Sequence, residues 1–462
     1  MIELLSFIFL LFLSILALAG LALFAHQSLR EREMRAARIS LVLAVLCAGL
    51  YGAAAFAPYG VRVAMLILTA LLLATGALAF WWPTNPPRRA NETPARRFDE
   101  RDILFARARL VPGSREFSQY YTAHPDRLAL DEAWRSLSGL LSPDAPFASP
   151  LLFASPEASF FLTGALREAV DGPISPQPVV LPVEKMTGYI RSLASYYGAL
   201  ETGITILRPY HIYSHVGRGA GEWGAEITLT HRYAIAFTVE MEPSMIAAAP
   251  GAPAIMESAR QYVESARVAV QLAAAIRALG YPARAHIDGN YQVIAPLVAR
   301  DAGLGEIGRM GLLMTPRHGP RVRLGLVTTD LPLAPDLRRP SAAMLDFCNL
   351  CQKCATACPS AAIPTGDRAE IDGILRWRIN ADACFRYWCM VGTDCGRCIA
   401  VCPFSHPNHW THNLVRAGIY RSGLFRRAAL HLDDLIYGRK PRVKHPPAWV
   451  EAARDARQSI RN

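Results

Sequence analysis

Nine of the chain's ten cysteines lie between Cys348 and Cys402, seven of them in two runs: CNLCQKCATACP from Cys348 to Pro359 and CGRCIAVCP from Cys395 to Pro403. In a reducing compartment such clustering marks metal ligands rather than disulfides. The first run, CxxCxxCxxxCP at Cys348, Cys351, Cys354 and Cys358, has the spacing in which three thiolates hold one [4Fe-4S] cluster and the fourth reaches a second. One short loop can wrap a cubane, and Pro359 redirects the chain after the fourth ligand. A zinc centre takes four ligands in separated pairs instead. Clusters move electrons, so the rest of the chain has to account for where those electrons go.

The second run keeps CxxCxxxCP at Cys395, Cys398 and Cys402, but Gly392 stands where a further cysteine is expected. The missing ligand must come from upstream, where Cys384 and Cys389 are the candidates. By crossed ligation, Cys348, Cys351, Cys354 and Cys402 hold one cluster. Cys395, Cys398 and Cys358 hold the other, with Cys384 assigned as its fourth ligand and Cys389 left as a spare thiol or substitute ligand. Cys47, alone in an apolar stretch, reads as a small buried residue.

That apolar stretch is one of a set. Leu4 to Ala25, Ile39 to Ala57 and Val61 to Trp82 are nearly uncharged, and each is close to the roughly 20 helical residues that cross a bilayer. They account for an apolar fraction of 52%, above the soluble norm. No basic segment precedes Leu4, so the first stretch reads as a membrane helix rather than a cleaved signal peptide, and no twin-arginine motif stands ahead of it. Arg30, Arg32, Arg35 and Arg38 follow the first helix and Arg88, Arg89, Arg96 and Arg97 follow the third, whereas the intervening connection carries only Arg62. The positive-inside rule then predicts a multi-pass protein of the bacterial inner (cytoplasmic) membrane with everything after Trp82 facing the cytoplasm. The net charge of +11 is accordingly assigned to the lipid bilayer as partner, with no nucleic acid.

The expected organisation is a membrane anchor over 1–83, a proline-rich basic linker over 84–97, a main body mixing helices and strands over 98–340, a ferredoxin-like domain over 341–412, and a tail over 413–462 packed on the main body. Within the main body Tyr233 to Met241 and Val322 to Asp330 are strand-like. A long helix is predicted from Ala254 to Leu279, stopped by Gly280. Tyr262, Ala266, Ala269, Ala273 and Ile276 share one face of it, small enough for something bulky to lie against. GLGEIG, Gly303 to Gly308, fits GxGxxG, but it lacks a preceding strand and a following helix, since Pro316 and Gly319 come too soon.

Extended to GLGEIGRMGLLMTPRHGPRVRLGLVTTDLPL, Gly303 to Leu333, the same stretch closely resembles the corrinoid-dependent reductive dehalogenases. So do FDERDILFARARLVPG (Phe98 to Gly113), YYTAHPDR (Tyr120 to Arg127) and the spacing of the cysteine runs. The resemblance extends over nearly everything from Phe98 onward. It implies an α/β (α+β), nitroreductase-like, cobalamin-binding domain with a bacterial ferredoxin-like domain carrying two [4Fe-4S] clusters, here preceded by three transmembrane helices. It also implies base-off cobalamin, a small organohalide substrate, and an electron donor such as quinol, ferredoxin or a flavoprotein. Carried over by position, Tyr262 is the proton donor, with Tyr233 and Tyr291 as alternatives, and Asn290 and Arg323 line the substrate pocket. Gly303, Gly305, Gly308, Gly311, Thr315 and Pro316 are the expected corrinoid contacts. There is no DxHxxG motif, in keeping with corrinoid held without a protein histidine, so His211, His215 and His231 read as packing or corrinoid-contact residues.

The chemistry suits these residue types. Replacing carbon-bound halide by hydrogen takes two electrons, one proton and a metal that side chains cannot replace. A phenol with pKa near 10 stays protonated at neutral pH, and a nearby guanidinium makes it a better acid; Arg323 can also stabilise departing halide. One rival is an epoxyqueuosine reductase-like tRNA-modifying enzyme, but Val293 stands where that enzyme has an aspartate. The other is a non-enzymatic membrane-bound electron carrier, which needs no body of this size.

Overall fold

In the computed structural model, residues 1–82, 93–219, 221–338 and 340–453 are described. Most of the linker, including Arg88 and Arg89, lies outside the described residues. The chain divides into two compact units, one formed by the described residues of Met1–Pro87 and His409–Arg442, the other by those of Arg88–Asn408 and Val443–Asn462.

The first unit contains three helices long and apolar enough to cross a membrane: α1 (Ile2–Arg30), α2 (Met34–Ala55) and α3 (Tyr59–Trp81). Their outer faces leave Leu23, Val45 and Leu73 largely exposed, as lipid-facing residues are. Between helices, apolar packing of Leu10 with Ala54 and Ala55 is joined by polar contacts: Ser14 donates to the carbonyl of Ala48 at 2.8 Å, and the hydroxyls of Tyr51 and Thr69 pair at 3.1 Å. Only Glu31 to Glu33 separates α1 from α2, so Arg30, Arg35 and Arg38 sit on helix ends rather than in a loop.

Two further helices, Trp410–Arg421 and Gly423–Ile436, complete this unit. The sequence expectation placed the whole tail on the catalytic domain, and the structure divides it. Phe425 meets Phe80 edge-on at 5.3 Å, and Arg35 donates to the carbonyl of Leu435 at 3.2 Å, so these helices join the membrane helices. The described residues from Val443 to Ala453 return to the second unit, where Val450 is fully buried with Phe153 and Met245.

In the second unit a four-stranded sheet has the order β1 (Glu201–Ile206), β2 (Tyr233–Glu240), β6 (Val322–Thr329) and β3 (Ala283–His286). Every pairing is antiparallel, which makes the body α+β rather than parallel-stranded. The long helix runs from Ala252 to Ala278 and ends before Gly280, whose φ of +88° is the left-handed turn that glycine adopts readily. Ala266, Ala269, Ala273 and Ile276 are fully buried against Ile235, Phe237, Ala285 and Val327. The bulky object on that face is therefore the sheet itself. Each large side chain buried in such an interface contributes roughly 1.5–3 kcal/mol.

Side chains alternate across a strand, so Arg323 and Gly325 share a face of β6 with Val327, the face covered by the long helix. Gly325 is paired with Phe237, and a Cβ there would stand 2.2 Å from the Phe237 ring. The absent side chain lets that ring lie over the strand, and Arg323 continues along the helix toward its first turns. GLGEIG follows the helix Ala295–Asp301 and runs into the two-residue strand β4 (Glu306–Ile307), paired with β5 (Leu313–Met314). This is the reverse of the strand-then-helix context that a dinucleotide fingerprint needs. A small hairpin, β7 (Ala369–Ile371) and β8 (Ile374–Arg376), lies between the cysteine runs.

Candidate functional site

Three elements converge on Tyr262. The guanidinium carbon of Arg323, from β6, lies 5.0 Å from the centroid of the Tyr262 ring. The same guanidinium donates to Ser258 Oγ at 2.7 Å and pairs with Asp394 Oδ2 at 3.4 Å. Ser258 is one helical turn before Tyr262, and Asp394 precedes Cys395. Burial raises the Tyr262 phenol, Arg323 opposes that rise, and Asp288 and Asp394 add to it. Tyr262 therefore holds its proton, and Arg323 is the group that favours giving it up.

Asn290 lies on the turn after β3 and is buried. Its Oδ1 accepts from Arg284 at 2.7 Å, and its amide donates to the carbonyl of Arg167 at 3.2 Å. Tyr291 is half-buried within the electrostatic reach of Tyr262, and desolvation pushes its phenol up likewise. Tyr233 packs in the sheet core, away from this group. Arg218 was not legible in the sequence as a site residue. Its Nε donates to Glu100 at 3.1 Å, and Glu100 is held in turn by the backbone N–H groups of Gly217 and Arg218. Arg218 also acts on Tyr262 and lies over Phe105 at 5.9 Å.

Phe105 lines a cavity of about 1010 Å3, at the top of the roughly 300–1,000 Å3 range of cofactor sites. Gly308, Gly311, Arg300, Tyr213 and Trp377 also line it, whereas Tyr262, Asn290 and Arg323 do not. Arg218 thus connects the cavity wall to the tyrosine. Of the expected corrinoid contacts only Gly308 and Gly311 reach the lining. Gly303 turns the chain after the helix Ala295–Asp301 with φ of +81°, and Gly305 packs on β5, where a Cβ would meet Met314 O at 2.1 Å. Thr315 donates to the carbonyl of Gly319 at 3.1 Å, and Pro316, next to it, is likewise outside the lining. The motifs FDERDILFARARLVPG and YYTAHPDR supply both lining, through Phe98, Asp99 and His124, and scaffold: Arg107, on the lining, pairs with Asp131 and Asp382 at 2.6 Å each, and Tyr121 donates to Asp131 at 2.7 Å.

The histidines are committed to local partners. His211 meets Asp301 at 2.9 Å, His215 meets Asp99 at 3.1 Å, and His231 meets Thr328 at 2.8 Å. The one histidine in the cavity lining, His124, is stacked on Tyr120 at 4.5 Å.

The thiols fall into two electrostatic groups. Burial raises the Cys402 thiol, and Cys348, Cys351 and Cys354 raise it further. Burial also raises Cys398, with Cys395, Cys354, Cys384 and Cys358 around it. Burial, with Cys358 beside it, pushes Cys384 up to about 11, whereas Cys389 is raised by burial alone. Buried thiols so crowded resist ionisation until a cation neutralises them, so the donor set fits iron-sulfur clusters. Gly392 caps the helix Ala381–Val391 with φ of +83°, and a Cβ there would meet Ala145 Cβ at 2.4 Å. Cys384, on that helix, instead faces the second group. A Cβ at Gly308 would lie 3.5 Å from Cys348 Sγ, so the first group abuts the cavity wall.

An antiparallel α+β body carrying a crowd of buried and half-buried thiols is the framework of an iron-sulfur redox protein. Residues 347–406 match the 4Fe-4S dicluster domain family. A tetrachloroethene reductive dehalogenase of Sulfurospirillum multivorans is 36% identical over 213 residues, covering 44% of this chain and 42% of that one. A catabolic reductive dehalogenase solved with 3-bromo-4-hydroxybenzoic acid superposes with a TM-score of 0.62 at 24% identity, over 77% of this chain and 49% of that one. Another reductive dehalogenase structure, bearing on B12-dependent dehalogenation, gives 0.58 at 26% identity over 68% of this chain and 45% of that one. The chain is thus a homologue of the reductive dehalogenases, with epoxyqueuosine reductases related over shorter stretches, and it spans less than half the length of the dehalogenase it matches.

Proposed function

We propose that the chain is a membrane-anchored, cobalamin-dependent reductive dehalogenase facing the cytoplasm, which replaces halide on a small organohalide by hydrogen, using one proton and two electrons relayed through two [4Fe-4S] clusters. The observation that carries this reading is Arg323 lying over the ring of Tyr262, with the crowded thiols of the cysteine runs in the same unit. The body is of the nitroreductase-like, cobalamin-binding kind. Cobalamin, bound base-off, supplies the low-valent cobalt that side chains cannot. The residues present fit it: the cavity is large, Gly308 and Gly311 line it, and its one histidine is engaged in stacking on Tyr120.

Cys348, Cys351, Cys354 and Cys402 hold one cluster, against the cavity wall, as terminal donor. Cys358, Cys384, Cys395 and Cys398 hold the other. Tyr262 holds the proton at its Oη and delivers it to the carbon that loses halide. Arg323 stabilises the phenolate left behind and favours the departing anion. Asn290, fixed by Arg284 and Arg167, shapes the substrate pocket. Val293, at the position of the aspartate of epoxyqueuosine reductases, is buried among apolar residues, which supports the dehalogenase reading over a tRNA-modifying one. The electron donor is a quinol, a ferredoxin or a flavoprotein.

Anaerobic purification with corrinoid supplied, followed by metal analysis and EPR, tests the proposal. About eight irons and one cobalt per chain are expected from the ligand sets, with halide released from a halogenated panel. Iron without cobalt would overturn it.

A further inference from the structure

The helix Gly423–Ile436 spans the end of the bundle. Near its start Phe425 packs on Phe80, at the last turn of α3, and at its far end the carbonyl of Leu435 accepts from Arg35, in the first turn of α2. Because α1, α2 and α3 alternate in direction, the end of α3 and the start of α2 lie at the same end of the bundle. A helix joining them at its two ends runs across the membrane helices rather than along them. The preceding helix, Trp410–Arg421, is fastened at this end too: His412 meets Glu31 at 2.9 Å, and Arg421 lies over the ring of Trp81 at 4.4 Å.

The outward face of Gly423–Ile436 is apolar where a water-facing helix would be polar. Leu424, Ala428, Leu432 and Leu435 recur at intervals of four, four and three, one stripe of a helix. Leu432 is 51% exposed and Leu435 55%. Arg427 and His431, also exposed, flank the stripe. Trp410 is 69% exposed, and Trp81 and Trp82 are exposed at the end of α3. Tryptophan, arginine and an exposed leucine stripe together are the composition of helices that lie in the headgroup region.

We infer that Trp410–Arg421 and Gly423–Ile436 form a collar embedded in the membrane interface, with the stripe Leu424, Ala428, Leu432 and Leu435 among acyl chains and the flanking arginines on anionic phospholipid headgroups. Two features favour lipid as the occupant. The collar is continuous with helices whose own outer faces are apolar, so the boundary it meets is a bilayer boundary. The exposed cations at this end of the bundle, Arg30, Arg38, Arg421, Arg427 and Lys440, outnumber the nearby acids Glu31, Glu33, Asp433 and Asp434, and Glu31 and Asp434 are paired with His412 and Arg439. Long basic side chains reach headgroups while their stems stay in the apolar layer.

The test is photo-crosslinking of the full chain in lipid nanodiscs, with Leu432→p-benzoylphenylalanine as probe and Leu435→p-benzoylphenylalanine as a second site. Leu72, on the outer face of α3, serves as the lipid-facing control, and Tyr196, exposed on the catalytic unit, as the water-facing one. Phospholipid adducts at 432 comparable with those at 72, and absent at 196, are expected. Their yield should rise several-fold from phosphatidylcholine discs to discs rich in phosphatidylglycerol, and Arg421→Gln with Arg427→Gln should remove that rise. Adducts to protein alone, or none at 432 and 435 while 72 reacts, would overturn the collar. Equal yields in the two lipids would overturn the role of the arginines.

Discussion

Arg323 lies over the ring of Tyr262 with its guanidinium carbon 5.0 Å from the centroid, and Ser258, one turn earlier on the same helix, accepts from that guanidinium at 2.7 Å. The phenol is thus held against a cation that the protein has already oriented. Preorganisation of this kind costs no rearrangement at the moment of proton transfer. Tyr262→Phe keeps the ring under Arg323 and removes only the proton. Halide release should fall by about 10²–10⁴-fold, with iron content and cluster EPR unchanged. Unaltered turnover would take Tyr262 out of the mechanism.

The pH dependence follows from the direction of the Tyr262 shift. Burial raises the phenol above its ordinary value near 10, so the acid form is fully present from pH 7 to 9. Arg323 pulls the other way, and Arg323→Gln therefore raises the phenol further and makes it a weaker acid. The variant should lose turnover by a similar factor at every pH between 7 and 9, with Arg323→Lys recovering part of it. A descending limb that moves to lower pH in Arg323→Gln would contradict this assignment, because loss of a cation cannot lower a phenol's pKa.

Legibility in the sequence followed the range of the signal. Cysteine spacing is local, the long helix carries its periodicity within itself, and strands β2 and β6 carry their β-branched and aromatic residues, so each could be read from neighbours a few residues apart. Arg218, Asp394 and Ser258 could not. They come from a loop, the cluster insert and the first turns of the helix, and only the antiparallel pairing of β2 with β6 brings Arg323 between them. Asp394 offered one weak clue, its place before Cys395. The small-residue face of the helix announced a bulky neighbour without naming it, since alanines accommodate a sheet as well as a cofactor; the neighbour is the sheet. The tail misled because the two helices of 410–436 carry polar and apolar residues in a proportion that fits either a protein surface or a membrane boundary.

The two upstream cysteines should behave differently. Cys384 lies among Cys358, Cys395 and Cys398, whereas Cys389 is buried beside Trp134 and Phe385. Cys384→Ser should leave about four of about eight irons per chain and remove one cluster's EPR signal. Cys389→Ser should retain the full complement. Equal iron loss in the two variants would mean that Cys389 also serves as a ligand.

Restoring the cysteine of a symmetrical run should harm the protein rather than help it. At Gly392 the backbone is left-handed, with φ of +83°, and a new Cβ would come within 2.4 Å of Ala145 Cβ. Left-handed geometry for a residue with a side chain costs on the order of 1–3 kcal/mol, and the contact adds to it. Gly392→Cys should therefore lower the apparent Tm without raising iron content, and Gly392→Ala should do nearly as much. A stabilised Gly392→Cys variant with an altered cluster signal would show the helix end to be free to move.

Arg309 sets up the last expectation. Its guanidinium is fully buried and donates to the carbonyls of Cys348 at 3.1 Å, Pro364 at 2.7 Å and Gly366 at 2.6 Å. It lies over Trp377 at 4.7 Å and within the field of Cys348, Cys351 and Cys354. A buried cation beside a cluster favours the more negative, reduced state, so it raises the reduction potential. Arg309→Gln keeps part of the hydrogen bonding and removes the charge, and EPR-monitored titration should show the potential of the cluster held by Cys348 falling while that of the other cluster moves less. Arg309→Lys, which restores the charge without the forked geometry, should bring the potential back toward its original value even if the loop is less stable. If Arg309→Lys and Arg309→Gln shift the potential equally, the residue acts by holding the loop, and the charge carries no part of the effect.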